Sequence, residues 1–178
     1  MVAIYYPQMV MFVSILWILV RGICWLRTKS VDWKQEAKLV LVYICIVVVV
    51  RFTFCPFGKV DGQIQPLLFD ASRIFPFWLN LTPFVYLFDY PELKDALLNL
   101  IGNVAMFIPL GIVWPAVFPQ LDRHWKVITA GIGVSLTIEI LQLPFFGRSS
   151  DIDDLILNSA GYLIGYGIWL LCHRPAKR

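Results

Sequence analysis

From Leu39 to Val50 the chain runs for twelve residues without a charge or a side-chain amide, and this run sits inside an apolar segment of 19 residues, 37–55. A stretch of that length matches the ~20 residues that a helix needs to cross a bilayer core. Its four consecutive valines, Val47 to Val50, would suit a strand in water. In lipid every backbone N–H and C=O must be paired within the protein, which leaves helices and closed barrels. Barrel strands alternate polar and apolar positions, whereas this segment is continuous, so a helix is expected.

Four more segments of this kind follow the same rule. Together they predict spans over residues 8–26, 37–55, 94–118, 126–143 and 154–172, an all-α polytopic membrane protein in a single domain, 1–178. Composition agrees: 59% of the residues are hydrophobic and 15% charged, too little polar surface to cover a soluble globule. The first segment has no basic residue ahead of it and is interrupted by Arg21, so it is expected to be retained as a span rather than cleaved. The four cysteines show neither a C-x-x-C nor a Cys/His spacing, so no disulfide framework, metal site or cofactor is expected.

Residues 56–91 are broken by Pro66, Pro76 and Pro83 yet rich in aromatic rings. They predict a long outer connection lying in the interface or re-entering the membrane, with Trp78, Tyr86 and Tyr90 near the headgroups. The N-L-T at Asn80 fits a glycosylation motif by chance, since Pro83 follows within an apolar segment. With five spans, nine basic residues (Arg27, Lys29, Lys34, Lys38, Arg123, Lys126, Arg174, Lys177, Arg178) fall on one side and four (Lys59, Arg73, Lys94, Arg148) on the other. Basic loops stay cytoplasmic, so the N-terminus is expected outside and the C-terminus inside. The net charge of +3 is thus a matter of membrane orientation, and no nucleic-acid partner is expected.

Polar residues within the apolar segments concentrate around one hairpin, 135–165. Ser135, Glu139 and Gln142 lie at i, i+4 and i+7, one stripe of the fourth span, and Gly131 extends it inward. Such a stripe faces protein rather than lipid, and an ionisable group within a span marks a functional site with a partner to be named. Arg51 and Arg148 are the expected partners of Glu139. Arg51 and Glu139 each stand five residues before a proline, Pro56 and Pro144. Asp95, Asn99 and Gly102 open the third span with the spacing that Asp154, Asn158 and Gly161 use in the fifth, as a duplicated two-helix unit would. Ser150 and Asp153 have capping-box spacing for the fifth span, for which Asp151, Asp153 and Asp154 suit the positive end of the helix dipole. Gly161, Gly165 and Gly167 are expected to let that span pack closely.

These residues carry a resemblance. N-x-x-G-N-x-x-x-F-x-P-x-G (Asn99, Gly102, Asn103, Phe107, Pro109, Gly111), followed by Ser135, Glu139, Gln142, Arg148, Asp151, Asp154, Asn158 and Gly161, resembles the VanZ-like family of small bacterial membrane proteins. The resemblance covers the last three spans and implies low-level resistance to glycopeptide antibiotics of the teicoplanin type by a route that leaves the peptidoglycan termini unaltered.

The residues leave three mechanisms open. A binding module would use Arg51, Asn99, Asn103, Ser135, Glu139, Gln142, Arg148, Asp151, Asp154 and Asn158 toward a glycopeptide, a membrane lipid or a lipid-linked cell-wall precursor. A membrane enzyme would take Glu139, Asp151 or Asp154 as its acid or base, the two aspartates also being able to hold a divalent cation. Its histidines, His124 and His173, fall on the cytoplasmic side, which disfavours histidine-based acyl transfer. A proton-coupled transporter, working as a homo-oligomer with Glu139 as proton carrier, is the third.

Overall fold

The computed structural model describes residues 1–55, 59–60, 63–75, 79–85, 93–148 and 150–173. Trp78, Tyr86 and Tyr90 lie outside the described residues. Among the described residues five α-helices are formed: α1 (Tyr6–Thr28), α2 (Trp33–Phe54), α3 (Leu93–Val117), α4 (His124–Gln142) and α5 (Ile152–Cys172). Four of them, α1, α2, α3 and α5, are long and apolar enough to cross a membrane. Helix α4 is shorter, at 19 residues, and carries Lys126, Ser135, Glu139 and Gln142. The polytopic all-α reading holds, and the chain is a membrane protein.

Contacts between helix ends fix how the helices alternate. Gln35 Nε2 donates to the Val117 carbonyl at 2.8 Å, tying the start of α2 to the end of α3. Gln142 Nε2 donates to the Thr53 carbonyl at 2.7 Å, tying the ends of α4 and α2. His124 Nδ1 and the Tyr166 hydroxyl, 2.6 Å apart, bring the start of α4 to the last turns of α5. Successive helices therefore run antiparallel, and α3 and α5 are parallel.

The tightest packing is between that parallel pair, and glycines permit it. A Cβ on Gly161 would stand 2.1 Å from the Val104 carbonyl oxygen, one on Gly165 2.1 Å from that of Ile108, and one on Gly111 2.0 Å from that of Tyr162. Without side chains at these points the two backbones meet directly, the small-residue packing that takes over where no water drives helices together. Gly131 instead makes room for the Tyr162 ring, and Gly167, expected to serve packing, faces open space. The core beneath is formed by Phe107, Leu110, Val127, Tyr162 and their neighbours.

Helix α1 is attached differently, with no buried residue of its own. The Ser14 and Tyr43 hydroxyls meet at 2.6 Å, and Arg21 forms a two-pronged ion pair with Glu36, which also accepts from Trp25 Nε1 at 2.9 Å. A paired Arg inside a span satisfies two charges that lipid would penalise singly.

One end of the bundle carries short strands that hydropathy did not announce. Strands β1 (Val2–Ile4), β4 (Leu67–Phe69) and β6 (Phe145–Phe146) form an antiparallel sheet with β4 in the middle. Strands β2 (Lys59–Val60) and β3 (Gln63–Ile64) make a hairpin, while β5 (Leu79–Asn80) pairs in parallel with β7 (Ser150–Asp151). The N-terminus, the connection between α2 and α3, and the turn between α4 and α5 thus share one end. The physical cause is backbone satisfaction: chain leaving a helix next to the apolar core needs partners for its N–H and C=O groups, and short ladders supply them. Phe145 anchors the sheet, its ring edge-on to Phe54 and Phe69 at 5.8 and 5.7 Å.

Candidate functional site

The turn from α4 into α5 positions the acidic residues, and each has a separate partner. Because β7 extends to Asp151, α5 starts at Ile152, two residues earlier than expected, and its cap is Asp151: the Asp151 carboxylate accepts from the Asp153 N–H at 2.9 Å. The Ser150–Asp153 capping box is replaced by this one-residue shift, since Ser150 is taken into the strand pair with Leu79. Asp151 also accepts from Asn80 Nδ2 at 3.0 Å. Asp153, 4% exposed, accepts from the Phe84 N–H at 2.9 and 3.1 Å. Asp154 accepts from Asn103 Nδ2 at 2.5 Å, and that same amide nitrogen lies 3.1 Å from Asn99 Oδ1.

Glu139 is 3% exposed, and its Oε2 accepts from the Asp151 N–H at 2.9 Å. The expected ion pair with Arg51 does not form. Arg51 turns to the other side of α2, where Nη1 donates to the Cys55 carbonyl at 2.9 Å and the guanidinium lies 5.4 Å from the Tyr6 ring centre. Nor does Arg148 fold back onto Glu139: among the described residues the ion pairs are Arg21–Glu36 and Asp122–Lys126. A backbone N–H of the turn, closer than either guanidinium, satisfies the carboxylate instead.

Arg148 lines a cavity of about 900 Å³ together with Asn99, Gly102 and Asn103 of α3, Phe52 of α2, Leu67 and Leu68 of β4, and Phe146. It is half-buried; its backbone N–H donates to the Phe145 carbonyl at 3.3 Å, while its guanidinium makes no hydrogen bond among the described residues. Burial lowers the Arg148 guanidinium from its ordinary value, and the carboxylate of Asp154 acts against that shift. Asp154 is thus the hinge of the cluster, in electrostatic reach of Arg148 on one side and of Glu139 on the other. Glu139 itself lines a second, smaller cavity of about 280 Å³ with Leu136, Ile140, Ser150 and Asp151. The single shared pocket expected for Glu139, Arg148 and Asp154 is not formed: Arg148 lines one cavity, Glu139 another, and Asp154 neither.

The rest of the expected stripe points inward. Ser135, Gln142 and Asn158 are all buried, with Ser135 Oγ, Gln142 Oε1 and Asn158 Oδ1 lacking a partner among the described residues. Asn80, Asp153 and the Thr53 carbonyl were not anticipated as members of this network. Asn80 in an N-L-T context signalled glycosylation, yet its side chain is engaged with Asp151. Gly102 and Gly161, matched in the repeat, differ in place: Gly161 is closed against α3 whereas a Cβ on Gly102 would meet nothing within 4 Å. No group of three or more His, Cys, Asp or Glu able to hold a metal ion occurs among the described residues.

The VanZ/LLP1 family model matches residues 40–173, three quarters of the chain. The chain belongs to the VanZ/LLP1 family. Protein VanZ of Enterococcus faecium is 32% identical over 96 residues, which are 54% of this chain and 55% of that protein. The chain therefore spans about half the length of that curated relative. No solved structure matches.

Every residue of the two cavities' polar walls lies within the VanZ/LLP1-matched part, and α1 with its Arg21 lies ahead of it. Chemically, the matched part offers one guanidinium open to a ligand, two amides beside it, and a set of carboxylates already bonded to backbone or amide donors. A planar guanidinium presents paired N–H donors that suit phosphate or carboxylate.

Proposed function

We propose that this VanZ/LLP1 protein binds a polar or anionic envelope ligand at the outer face of the cytoplasmic membrane and thereby lowers susceptibility to teicoplanin-type glycopeptides. The observation that supports this reading is Arg148 on the wall of the larger cavity, half-buried yet with a guanidinium that makes no hydrogen bond among the described residues. A cation removed from water and left without a hydrogen bond is costly unless a ligand completes its shell. The outward direction comes from charge: the end bearing Arg148 has few basic residues, and the opposite end has many. The implied resistance is that of the family's founding member, brought here by the resemblance.

The test compares a susceptible bacterium expressing the wild type, Arg148→Ala or Asp154→Asn at matched membrane abundance. Surface-bound labelled teicoplanin is expected to fall with the wild type and not with either variant. Equal binding by cells with and without the wild type sinks the proposal.

A membrane enzyme is the second reading, favoured by Asp154 lying within electrostatic reach of the buried Glu139. Carboxyl groups that are shielded from water and interact electrostatically are a common basis for acid–base chemistry. A changed pool of lipid-linked precursor in the wild type, reversed in Asp154→Asn, selects it.

A further inference from the structure

We infer that the ligand of the Arg148 cavity is a lipid whose anionic headgroup meets Arg148 and whose hydrocarbon chain leaves sideways into the membrane. This inference rests on the reading of Arg148 as the ligand-binding group. Five of the lining residues are exposed and mark the mouth of the cavity, Leu98 at 60%, Phe146 at 56% and Phe52 at 46%, together with Gln65 and Gly147. The three large hydrophobic side chains form the apolar part of this rim, and Gln65, with the Arg73 guanidinium 5.0 Å from the Phe146 ring centre, its polar part. On α3 the exposed neighbours Leu97 and Ile101 continue the apolar surface outward from Leu98. Such a rim suits the boundary of the membrane: its apolar part opens toward hydrocarbon, where water would otherwise meet these rings and chains, and its polar part faces the headgroups.

Size points the same way. A volume of about 900 Å³ lies at the upper end of the ~300–1,000 Å³ usual for organic ligands. A bare phosphate would leave most of it unfilled, and a group with a chain would cover Leu67, Leu68 and Leu98. Charge is complementary at one point: Arg148 is the cation of the described lining, and no carboxylate shares that wall. Asp154, which is not part of that wall, interacts with Arg148 electrostatically without forming an ion pair. Two sources share this chemistry, an anionic phospholipid of the bilayer and a polyprenyl phosphate carrier.

Gly102 makes the inference testable without disturbing the fold. It lines the cavity, and a Cβ there has open space, so Gly102→Leu fills the chain's path while α3 keeps a better helix former. The protein purified in a neutral maltoside is melted with dodecyl phosphate, phosphatidylglycerol, a polyprenyl monophosphate, phosphatidylcholine or inorganic phosphate. Dodecyl phosphate is expected to raise the Tm saturably, and inorganic phosphate at the same concentration to leave it unchanged. Arg148→Ala is expected to weaken the dodecyl phosphate effect by about tenfold or more, the loss of a charge-assisted bond. Gly102→Leu is expected to abolish it with its unliganded melt intact, and Arg148→Lys to keep part of it. Whichever of phosphatidylglycerol and polyprenyl monophosphate acts at lower concentration identifies the source.

An equal shift in Arg148→Ala, or by phosphatidylcholine or inorganic phosphate, overturns the inference. Protection against glycopeptide that depends on Arg148 without any lipid shift overturns it alone. A lipid shift without any effect on glycopeptide binding overturns the resistance reading instead.

Discussion

Glu139 Oε2 accepts a hydrogen bond from the backbone N–H of Asp151 at 2.9 Å, so the buried acid of α4 holds the last residue of the turn, the cap of α5. An acceptor at this place is needed whatever its charge. Glu139→Gln retains a carbonyl oxygen and is expected to reach wild-type membrane abundance and Tm. Glu139→Leu leaves the Asp151 N–H without its partner and is expected to cost about 1–3 kcal/mol. Melts of the two purified variants check this, and equal Tm values for Gln and Leu would remove Glu139 from any structural role.

The glycines of α3 and α5 separate packing from cavity. Gly161→Ala places a methyl group 2.1 Å from the Val104 carbonyl oxygen, which is backbone and cannot turn away. A loss of about 1–3 kcal/mol or more is expected, as for other overpacked interfaces. Gly102→Ala meets open space and is expected to stay within about 0.5 kcal/mol of wild type or to gain slightly. Thermal melts in detergent decide between them.

The ion pair between α1 and α2 is expected to hold α1 in place. Arg21→Met alone leaves Glu36 with only Trp25 Nε1 and is expected to lower stability by about 3–5 kcal/mol. Arg21→Met with Glu36→Met removes both charges and is expected to recover most of the loss. A double-mutant cycle on Tm measures the coupling, and additive losses would show that the pair does not act as a unit.

Orientation is checked by labelling from outside intact cells. In a background with the accessible Cys24 and Cys172 replaced by Ser, Ala71→Cys at the strand-bearing end is expected to react with a membrane-impermeant maleimide. Ser30→Cys at the opposite end is expected to react only after permeabilisation. The reverse pattern would turn the cavity toward the cytoplasm.

Much of this architecture was legible from hydropathy. Continuous apolar segments determine helices because lipid leaves no other way to pair the backbone, and the five helices fall within a few residues of where that rule puts them. The i, i+4, i+7 spacing of Ser135, Glu139 and Gln142 likewise determined that this stripe would be buried, as it is.

What the linear pattern does not carry is the choice of partner. Glu139 and Arg51 have matching positions ahead of a proline and opposite charge, yet Arg51 turns to Tyr6 and the Cys55 carbonyl while a backbone N–H three residues before Asp154 takes the carboxylate. Gly102 and Gly161 stand at the same place in a repeated pattern, and only the approach of α3 to α5 decides that one is closed and the other lines a cavity. Spacing along a helix fixes which residues share a face. Which atom stands within hydrogen-bonding distance across helices depends on strand pairing and on how closely two backbones meet, and only the folded chain sets those.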